Sequence, residues 1–174
     1  MRDADEARAA AERAARDSYG RLVALLAAPT RDLALAEDAL GDAFEQALRS
    51  WPADGIPTNP EGWLLTVARN RQRDVLRSSA HRTSTVLDAA RDVVGGVDVA
   101  TLDGDAIPDK RLELLFACAH PAIDAAVRTP LMLQVVLGFD AARIAEAFGM
   151  EPAAMAQRLV RAKRRIRDAG IPFA

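Results

Sequence analysis

Apolar residues recur at helical spacing through the first half of the chain, and three helices are predicted there. The first is predicted over 5–28, with Gly20 as a weak point inside it and Pro29 as its stop. The second runs from Thr30, as N-cap, to about residue 51. The third begins at residue 60. The apolar sides consist of Ala15, Tyr19, Leu22, Leu25 and Leu26 in the first helix, Leu33, Ala36, Leu40, Ala43, Phe44, Ala47 and Leu48 in the second, and Trp63, Leu64, Val67, Ala68, Val75 and Leu76 in the third.

Two segments break this helical pattern. Residues 51–60 hold three prolines and a glycine, which predicts an ordered loop or a series of turns. Residues 83–109 hold Gly95-Gly96, Gly104 and a mixture of Asp, Val and Thr, which predicts a linker, with a short helix near 86–94 as an option. The chain is therefore predicted to consist of one helical domain over 1–82, the linker over 83–109 and a second helical domain over 110–174.

The second half is predicted to begin with two short helices. The first covers 110–119, with Leu112, Leu115 and Phe116 facing inward. Pro121 interrupts the pattern, and 122–127 is expected to form at most a further turn or two. The next helix is predicted over 129–137, with Thr129 as its cap, Pro130 as its first residue and Gly138 after its end.

Residues 141–167 are predicted to form a helix, a tight turn and a second helix. Gly149 stands where a chain leaving a helix favours positive φ, and Glu151-Pro152 suits the start of the following helix. The apolar faces consist of Ala142, Ile144, Ala145 and Phe148 in the first helix and Met155, Leu159, Ala162 and Ile166 in the second. This segment carries seven basic and two acidic residues, a net charge of +5, whereas the whole chain has a formal charge of −2. A helix-turn-helix that enters the DNA major groove needs such local positive charge, although a helical hairpin with a solvated basic face has the same pattern.

Two other charged surfaces have both an ordinary and a functional interpretation. The second helix presents Glu37, Asp38, Asp42 and Glu45, either as a solvated face or as a docking face for a basic partner. The third helix becomes basic in its second half through Arg69, Arg71, Arg73, Arg77 and Arg82. Cations near a helix C-terminus favour the helix dipole, but they also suit contact with phosphates.

Composition favours an all-α protein. Half of the 174 residues are hydrophobic and only 5% are aromatic, so the core is expected to consist mainly of Ala, Leu and Val. No apolar run approaches the roughly 20 residues of a membrane span, and the charged N-terminus does not resemble a signal peptide. The single cysteine cannot form an internal disulfide. These features predict a cytoplasmic protein without a membrane partner.

The sequence lacks the residue patterns that catalysis or cofactor binding requires. No glycine-rich phosphate loop is present, and no set of carboxylates suggests acid–base chemistry. Cys118 and His120 lie two residues apart, but a structural zinc site needs four ligands, and a nucleophilic pair needs an orienting third group. We therefore expect no enzyme activity, no cofactor and no bound metal, and interpret Cys118 as a small buried residue.

Three segments together resemble the extracytoplasmic function (group 4) sigma factors of bacterial RNA polymerase. Residues 36–47, AEDALGDAFEQA, are similar to the family's region 2.2 pattern. Residues 61–77, with Trp63-Leu64, Ala68-Arg69-Asn70 and Asp74 to Arg77, are similar to regions 2.3–2.4. Residues 144–146 and 155–163 resemble region 4.2. The three segments occur in the family's order and spacing, and together they cover most of the chain outside the linker.

The resemblance implies a partner for each surface. Region 2.2 of the family docks on the β′ clamp of core polymerase, which implicates Glu37, Asp38, Asp42 and Gln46. The −10 promoter element would be bound by Trp63, Arg69, Asn70, Arg73 and Arg77, with a pocket for an unstacked base at the loop 53–60. The −35 element would be bound by Ala156, Gln157, Arg158, Val160, Arg161, Lys163 and Arg164. Arg161 is expected to contact a guanine, and Arg158, Lys163 and Arg164 are expected to contact phosphates.

A narrower resemblance concerns one subgroup of these sigma factors. Residues 114–122 and 155–163, followed by Ile171-Pro172-Phe173, look like a subgroup whose members carry a further C-terminal TPR-like helical domain. The present sequence ends at Ala174 without one, as expected of either a truncated chain or a natural short form.

The function implied is that of a transcription initiation factor without enzyme activity. It would bind core RNA polymerase, through the β′ clamp and the β flap, and direct it to promoter DNA; an anti-sigma partner is left open. The alternative is a one-component helix-turn-helix repressor whose first domain senses a ligand or dimerises. The acidic second helix and the Arg69-Asn70 segment favour the sigma factor, because a repressor does not require that pair of features.

Overall fold

The structure, a computed structural model, describes residues 2–82 and 107–173. Within these ranges the chain forms seven helices and no strand, which confirms the all-α class. The predicted short helix near 86–94 and most of the predicted linker lie outside the described residues. The helices are α1 (Arg2–Ala27), α2 (Leu33–Asp54), α3 (Pro60–Arg82), α4 (Arg111–Ala119), α5 (Ala125–Val135), α6 (Ala141–Ala147) and α7 (Pro152–Asp168). No helix of the described part is long and apolar enough to cross a membrane.

The first three helices pack against one another around an alanine- and leucine-rich core. α1 contacts both α2 and α3, and α2 contacts α3. The predicted cap of α2 was wrong by two residues, because Asp32 and not Thr30 accepts the hydrogen bond from the Leu35 amide, at 3.0 Å. Thr30 accepts a bond from the Asp32 amide instead, at 3.3 Å, and so stabilises the turn that precedes the cap.

α2 is one helical turn longer than predicted. It continues through Pro52 to Asp54 and ends at Gly55, which has a φ of 90° and donates its amide to the Trp51 carbonyl. The loop predicted over 51–60 is therefore confined to residues 55–59. Trp51, in the last turn of α2, is only 2% exposed.

The inward face of α4 was predicted wrongly for two of its three residues, and the third, Leu115, is partly buried. Leu112 and Phe116 are 62% and 63% exposed, whereas Leu114, Ala117 and Cys118 are buried. Both faces of this nine-residue helix carry apolar side chains, so spacing alone does not show which face packs inward. The tertiary contacts of α4 with α1 and α5 decide it.

α5 begins five residues earlier than predicted. Asp124 caps it by accepting a hydrogen bond from the Ala126 amide at 2.9 Å, so Thr129 lies inside the helix and is not its cap. Pro130 also lies inside α5 and is buried. A proline within a helix removes one backbone hydrogen bond, and the strong aspartate cap together with the burial of Pro130 compensates for that loss.

The two halves of the chain pack against each other. α1 contacts α4 and α5, α2 contacts α7, and the buried apolar residues of both halves form one continuous cluster. Ile107, inside the predicted linker, is 3% exposed and belongs to that cluster. The division into domains over 1–82, 83–109 and 110–174 stays a prediction.

Gly20 allows α1 and α5 to approach closely. A Cβ atom at this position would overlap the carbonyl oxygen of Val136 and lie 2.9 Å from its carbonyl carbon. Gly20, interpreted from sequence as a weak point of the first helix, is therefore the point at which Val136, the residue that caps the end of α5, lies directly against α1. Gly138, with a φ of 72°, packs against the ring of Tyr19 beside it.

Candidate functional site

Helices α6 and α7 are joined by a four-residue turn, as the sequence predicted. Asp140 caps α6 by accepting a hydrogen bond from the Arg143 amide at 2.9 Å. Gly149 has a φ of 62°, which is the left-handed conformation expected after a helix. Pro152 is the first residue of α7, where its missing amide proton removes no intrahelical bond.

The buried stripe predicted for α7 is confirmed, and the one predicted for α6 is confirmed in part. Met155, Leu159, Ala162 and Ile166 are all 7% exposed or less. In α6, Ile144 and Ala145 are buried, whereas Ala142 and Phe148 are exposed. Phe148 lies at the C-cap, beyond the last regular residue of this seven-residue helix, so its direction departs from the helical spacing.

The residues of α7 assigned to the −35 element lie on different sides of the helix. Gln157, Arg158, Arg161 and Arg164 are exposed, Val160 is half-exposed and Ala156 is partly buried. With 100° between successive residues, Gln157 and Arg164 lie opposite the buried stripe, while Arg158 and Arg161 lie on one flank. These residues remain available to DNA in this arrangement, and their roles stay a prediction.

Three arginines of α7 share a cleft with the start of α5. Arg158, Arg161 and Arg165 line a cleft of about 550 Å³ together with residues 122–124, 126 and 127. Arg165 was not among the residues singled out from sequence, although its spacing of four from Arg161 would have placed it on the same flank. Asp124 lines the same cleft, but its carboxylate already accepts the capping bond of α5. The cleft therefore presents a cationic flank that suits phosphate groups.

Lys163 does not belong to the exposed basic surface in this arrangement, and its role as a phosphate contact stays a prediction. Its Nζ lies 2.6 Å from Oε2 of Glu37 on α2, and both side chains are only 12% exposed. The lysine and the glutamate neutralise each other between the two halves of the chain. Neither is accessible to a macromolecular partner in this arrangement.

Of the four acidic residues predicted on this face of α2, Glu37 is largely buried, whereas Asp38, Asp42 and Glu45 are exposed. Asp38, Asp42 and Gln46 are exposed and spaced by four residues, so they lie along one side of the helix and form what we term the acidic strip. Asp42 accepts a charge-assisted hydrogen bond from Arg71 of α3 at 2.5 Å. Glu37 points to the other side of α2, toward α7.

The residues of α3 assigned to the −10 element fall into a packed group and an exposed group. Trp63 is partly buried and meets the ring of Trp51 edge to face, with the ring centroids 5.4 Å apart. Arg69 is half-buried, which lowers the pKa of its guanidinium group. The exposed group is Asn70, Arg73 and Arg77, in which Arg73 donates a hydrogen bond to the side-chain carbonyl of Asn70.

The loop between α2 and α3 borders a second cleft. Asn59 caps α3 by accepting a hydrogen bond from the Gly62 amide at 2.9 Å, which fixes the end of the loop. A cleft of about 510 Å³ lies between the loop residues 56, 58 and 59, the first two residues of α3, and the α1 residues Ala10, Arg13, Ala14, Asp17 and Arg21. The contribution of α1 to this cleft was not predicted, because it depends on how the helices pack.

Comparison with known families gives a match in the first half of the chain. Residues 14–82, from the middle of α1 to the end of α3, match the family model described as Sigma-70 region 2. This part of the chain is therefore similar to sigma-70 region 2. The matched range includes the acidic strip, the loop and the basic half of α3.

Two curated proteins resemble a larger part of the chain. An uncharacterised protein of Rhizobium meliloti (strain 1021) is 38% identical over 149 residues, which cover 82% of this chain and 34% of that protein. The probable RNA polymerase sigma factor RfaY of Xanthomonas campestris pv. campestris is 29% identical over 170 residues, covering 87% of this chain and 40% of that protein. The chain thus spans between a third and two fifths of the length of these relatives. The region 2 match and the similarity to RfaY support the sigma-70 family.

Sequence reasoning missed two sets of polar contacts that hold α3 against α1. The Gln72 amide, 6% exposed, donates to the carbonyl of Leu26 at 3.1 Å and so links α3 to the end of α1. Glu61 accepts hydrogen bonds from Ser18 and from Arg21, the latter at 3.0 Å. Gln72 lies between two arginines in the sequence, so no local pattern indicated that it is buried. Its buried environment depends on the packing of α3 on α1.

Cys118 and His120 serve local structure. Cys118 is fully buried, and His120 Nδ1 accepts a hydrogen bond from the Ala122 amide at 3.1 Å. Across 2–82 and 107–173, no group of three or more His, Cys, Asp or Glu residues is arranged to hold a metal ion. Burial, together with the charge of Glu37, raises the pKa of the Cys118 thiol to about 12.

We expect Cys118 to resist thiol reagents in the folded chain. Because its pKa is about 12 and the thiolate is the reactive form, almost no thiolate is present at pH 8. Ellman's reagent at pH 8 should modify the thiol only after guanidinium chloride is added. The variant Ala153→Cys, whose position is exposed at the start of α7, should gain one rapidly reacting thiol. Rapid modification of the folded wild-type chain would contradict the buried position.

Proposed function

We propose that this chain is a sigma factor of the extracytoplasmic function group, which binds core RNA polymerase and directs it to promoters. The observation that carries the proposal is the match of residues 14–82 to sigma-70 region 2. The similarity to RfaY over 170 residues extends the support into the second half of the chain. The resemblance of residues 114–122 and 155–163 supports, within this proposal, the subgroup with a TPR-like domain.

Polymerase docking is proposed for the acidic strip. Asp38, Asp42 and Gln46 are exposed on one side of α2. The two carboxylates, four residues apart, are placed to pair with a basic surface of a partner. The Asp42–Arg71 pair is about half exposed, so a partner can compete for this carboxylate at small cost. Glu37 is excluded from this docking surface as long as it is paired with Lys163.

Contact with the −10 element is proposed for α3 and the neighbouring cleft. Asn70, Arg73 and Arg77 are exposed on the basic half of α3 and suit contact with the DNA backbone. The cleft of about 510 Å³ beside the loop offers space for a base that has left the stack. Trp63 is partly buried and packs on Trp51. We therefore propose that Trp63 supports the loop and does not contact DNA.

Contact with the −35 element is proposed for α7. Gln157 and Arg164 project away from the core, and Arg158, Arg161 and Arg165 form the cationic flank. Arg161 remains the proposed guanine contact, since a guanidinium can donate two hydrogen bonds to the edge of that base. Arg158 and Arg165, on the same flank, are proposed to contact phosphates.

The test is association with core polymerase. The purified chain is mixed with bacterial core RNA polymerase and applied to a sizing column, and we expect it to elute with the polymerase. Addition of the intact holoenzyme in place of core should give no co-elution, because its sigma site is already filled. A folded chain that elutes alone in both mixtures would overturn the proposal and favour the one-component repressor. Its operator would then be sought among palindromic sequences.

A further inference from the structure

The cleft beside the loop between α2 and α3 combines apolar surfaces with charged groups. Its apolar residues are Ala10 and Ala14 of α1, which are buried, together with Ile56 of the loop and Pro60 of α3. Its volume of about 510 Å³ falls in the range of about 300–1,000 Å³ that is typical of small-molecule pockets. An unstacked nucleobase has two flat apolar faces and one polar edge, so recognition there depends on the polar groups that meet this edge.

Several polar groups of the cleft are already engaged within the chain. Arg21 and Glu61 form an ion pair of 3.0 Å, and Ser18 donates a hydrogen bond to the same carboxylate. Asn59 accepts the hydrogen bond that caps α3. These groups hold α3 and the end of the loop against α1. They therefore form the framework of the cleft and are not its recognition groups.

Arg13 and Asp17 line the same cleft and are not engaged in this way. Both are exposed, and they lie four residues apart on one face of α1. Opposite charges at this spacing can pair with each other along a helix. In the part of the chain that the structure describes, however, neither side chain forms a hydrogen bond or an ion pair. Both side chains therefore keep their hydrogen-bonding groups for a molecule in the cleft.

Together, the two side chains offer both kinds of hydrogen-bonding group. A carboxylate only accepts hydrogen bonds, and a guanidinium only donates them. Cytosine, adenine and guanine each present an amino group that can donate to Asp17 and an acceptor that can receive a bond from Arg13. Thymine has no amino group, and its one N–H lies between two carbonyl oxygens that repel a carboxylate. The pair is therefore complementary to three of the four bases.

We propose that Arg13 and Asp17 read the Watson–Crick edge of the base that enters this cleft, and that they select a base with an amino group over thymine. Asp17 accepts a hydrogen bond from the amino group, and Arg13 donates to the neighbouring acceptor. A site that pairs with a polar group rejects a ligand that lacks it, because the polar group of the site is then left unpaired. That the occupant is a promoter base rests on the proposed function. Both residues lie on α1, outside the segments that the sequence assigned to the −10 element.

The selectivity is tested with the full chain bound to core polymerase. A library of DNA duplexes of random sequence is incubated with this complex, and the retained DNA is sequenced. With the wild-type chain we expect thymine to be depleted at one position of the −10 element. Asp17→Asn, whose amide both donates and accepts, should raise the share of thymine about tenfold at that position and leave the other positions unchanged. Arg13→Gln should alter the preference at the same position.

Direct contact between Asp17 and the amino group is tested by removing that group from the DNA. At the selected position, the base is replaced by an analogue with hydrogen in place of the amino group: 2-pyrimidinone for cytosine, purine for adenine or hypoxanthine for guanine. The wild-type complex should bind the analogue about tenfold more weakly than the natural base. Asp17→Ala should bind the two equally. If the analogue weakens binding to the same extent in both chains, Asp17 does not contact the base and the inference fails.

Matched controls separate recognition from net charge and from loss of fold. Glu12→Gln and Arg16→Gln remove the same charges at exposed positions of α1 outside the cleft, and should leave the preference at every position unchanged. Far-UV circular dichroism should show native helix content in every variant. A preference that stays the same in the Arg13 and Asp17 variants, or that changes equally at many positions, would overturn the inference and leave the proposed function intact. A wild-type chain that retains no DNA together with polymerase would overturn the proposed function, and this inference with it.

Discussion

Gly20→Ala is expected to destabilise the chain, although alanine favours a helix more than glycine does. The new methyl group would overlap the carbonyl oxygen of Val136 and lie 2.9 Å and 3.0 Å from its carbonyl carbon and Cα. These are backbone atoms, which cannot rotate away as a flexible side chain can. α1 and α5 must therefore separate, and overpacking of this kind costs about 1–3 kcal/mol.

Gly41→Ala is the matched control for this substitution. Gly41 also lies inside a helix, but a Cβ atom there meets no atom within 4 Å. The helix propensity of alanine then acts alone and should stabilise the chain by about 0.5–1 kcal/mol. The two substitutions are chemically identical, so the difference between them measures the close approach of α1 and α5.

The measurement is the thermal midpoint of both variants, followed by circular dichroism, together with the radius of gyration from solution scattering. We expect the midpoint to fall by about 2–10 °C for Gly20→Ala and to rise by about 1–4 °C for Gly41→Ala, at a few degrees per kcal/mol. If the two halves of Gly20→Ala separate but each half stays folded, we expect the radius of gyration to rise instead of the thermal midpoint falling. A Gly20→Ala chain that matches Gly41→Ala in both measurements would contradict the packing of α5 on Gly20.

The helices that the sequence predicted well are those with long apolar stripes. The stripe from Met155 to Ile166 is buried throughout, because its spacing of three and four residues persists over three turns and its other faces are highly charged. The buried face of a short helix was harder to predict from sequence. In α4 the apolar residues occupy both faces, so Phe116 and Leu114 could not be assigned to solvent and core by spacing.

Helix starts were misplaced where several residue types compete for the cap. Thr30 and Asp32 are both good N-caps, and the structure uses the aspartate. At α5, the rule that proline belongs to the first turn favoured Thr129, but the Asp124 cap begins the helix earlier and leaves Pro130 inside. Local rules rank these candidates too closely, and tertiary packing makes the choice.

The candidate site was predicted in composition but not in arrangement. The charged residues of α2, α3 and α7 are where the sequence placed them along the chain, and most are exposed. The pairing of Glu37 with Lys163 joins residues 126 positions apart, and no local pattern indicates it. In the sequence, only Gly20 indicated that the two halves pack together, since a glycine inside a helix often marks the close approach of another backbone.

Reversal of the acidic strip is expected to abolish association with core polymerase. Asp38→Arg with Asp42→Arg replaces two exposed carboxylates on one side of α2 by guanidinium groups. A basic docking partner then meets like charges, and we expect the dissociation constant to rise by about 100-fold or more. Stability should change little, because the lost Asp42–Arg71 pair is about half exposed and such pairs contribute at most about 1 kcal/mol.

The control must carry the same change of net charge on another surface. Asp5→Arg with Glu12→Arg reverses two exposed carboxylates near the start of α1, outside the range that matches region 2. Both double variants change the formal charge of the chain from −2 to +2. Co-elution with core polymerase should be lost in the α2 variant and retained in the α1 variant.

The comparison of these two variants separates local docking from general electrostatics. If both lose co-elution, overall charge governs association and the acidic strip has no special role. If both retain it, the docking surface lies elsewhere, and the buried Glu37 or the exposed apolar residues Leu112 and Phe116 become the next positions to test. If only the α2 variant loses co-elution, the polymerase must contact the acidic strip itself. A specific contact of this kind is expected of a sigma region 2 domain and not of a helical bundle with a solvated acidic face.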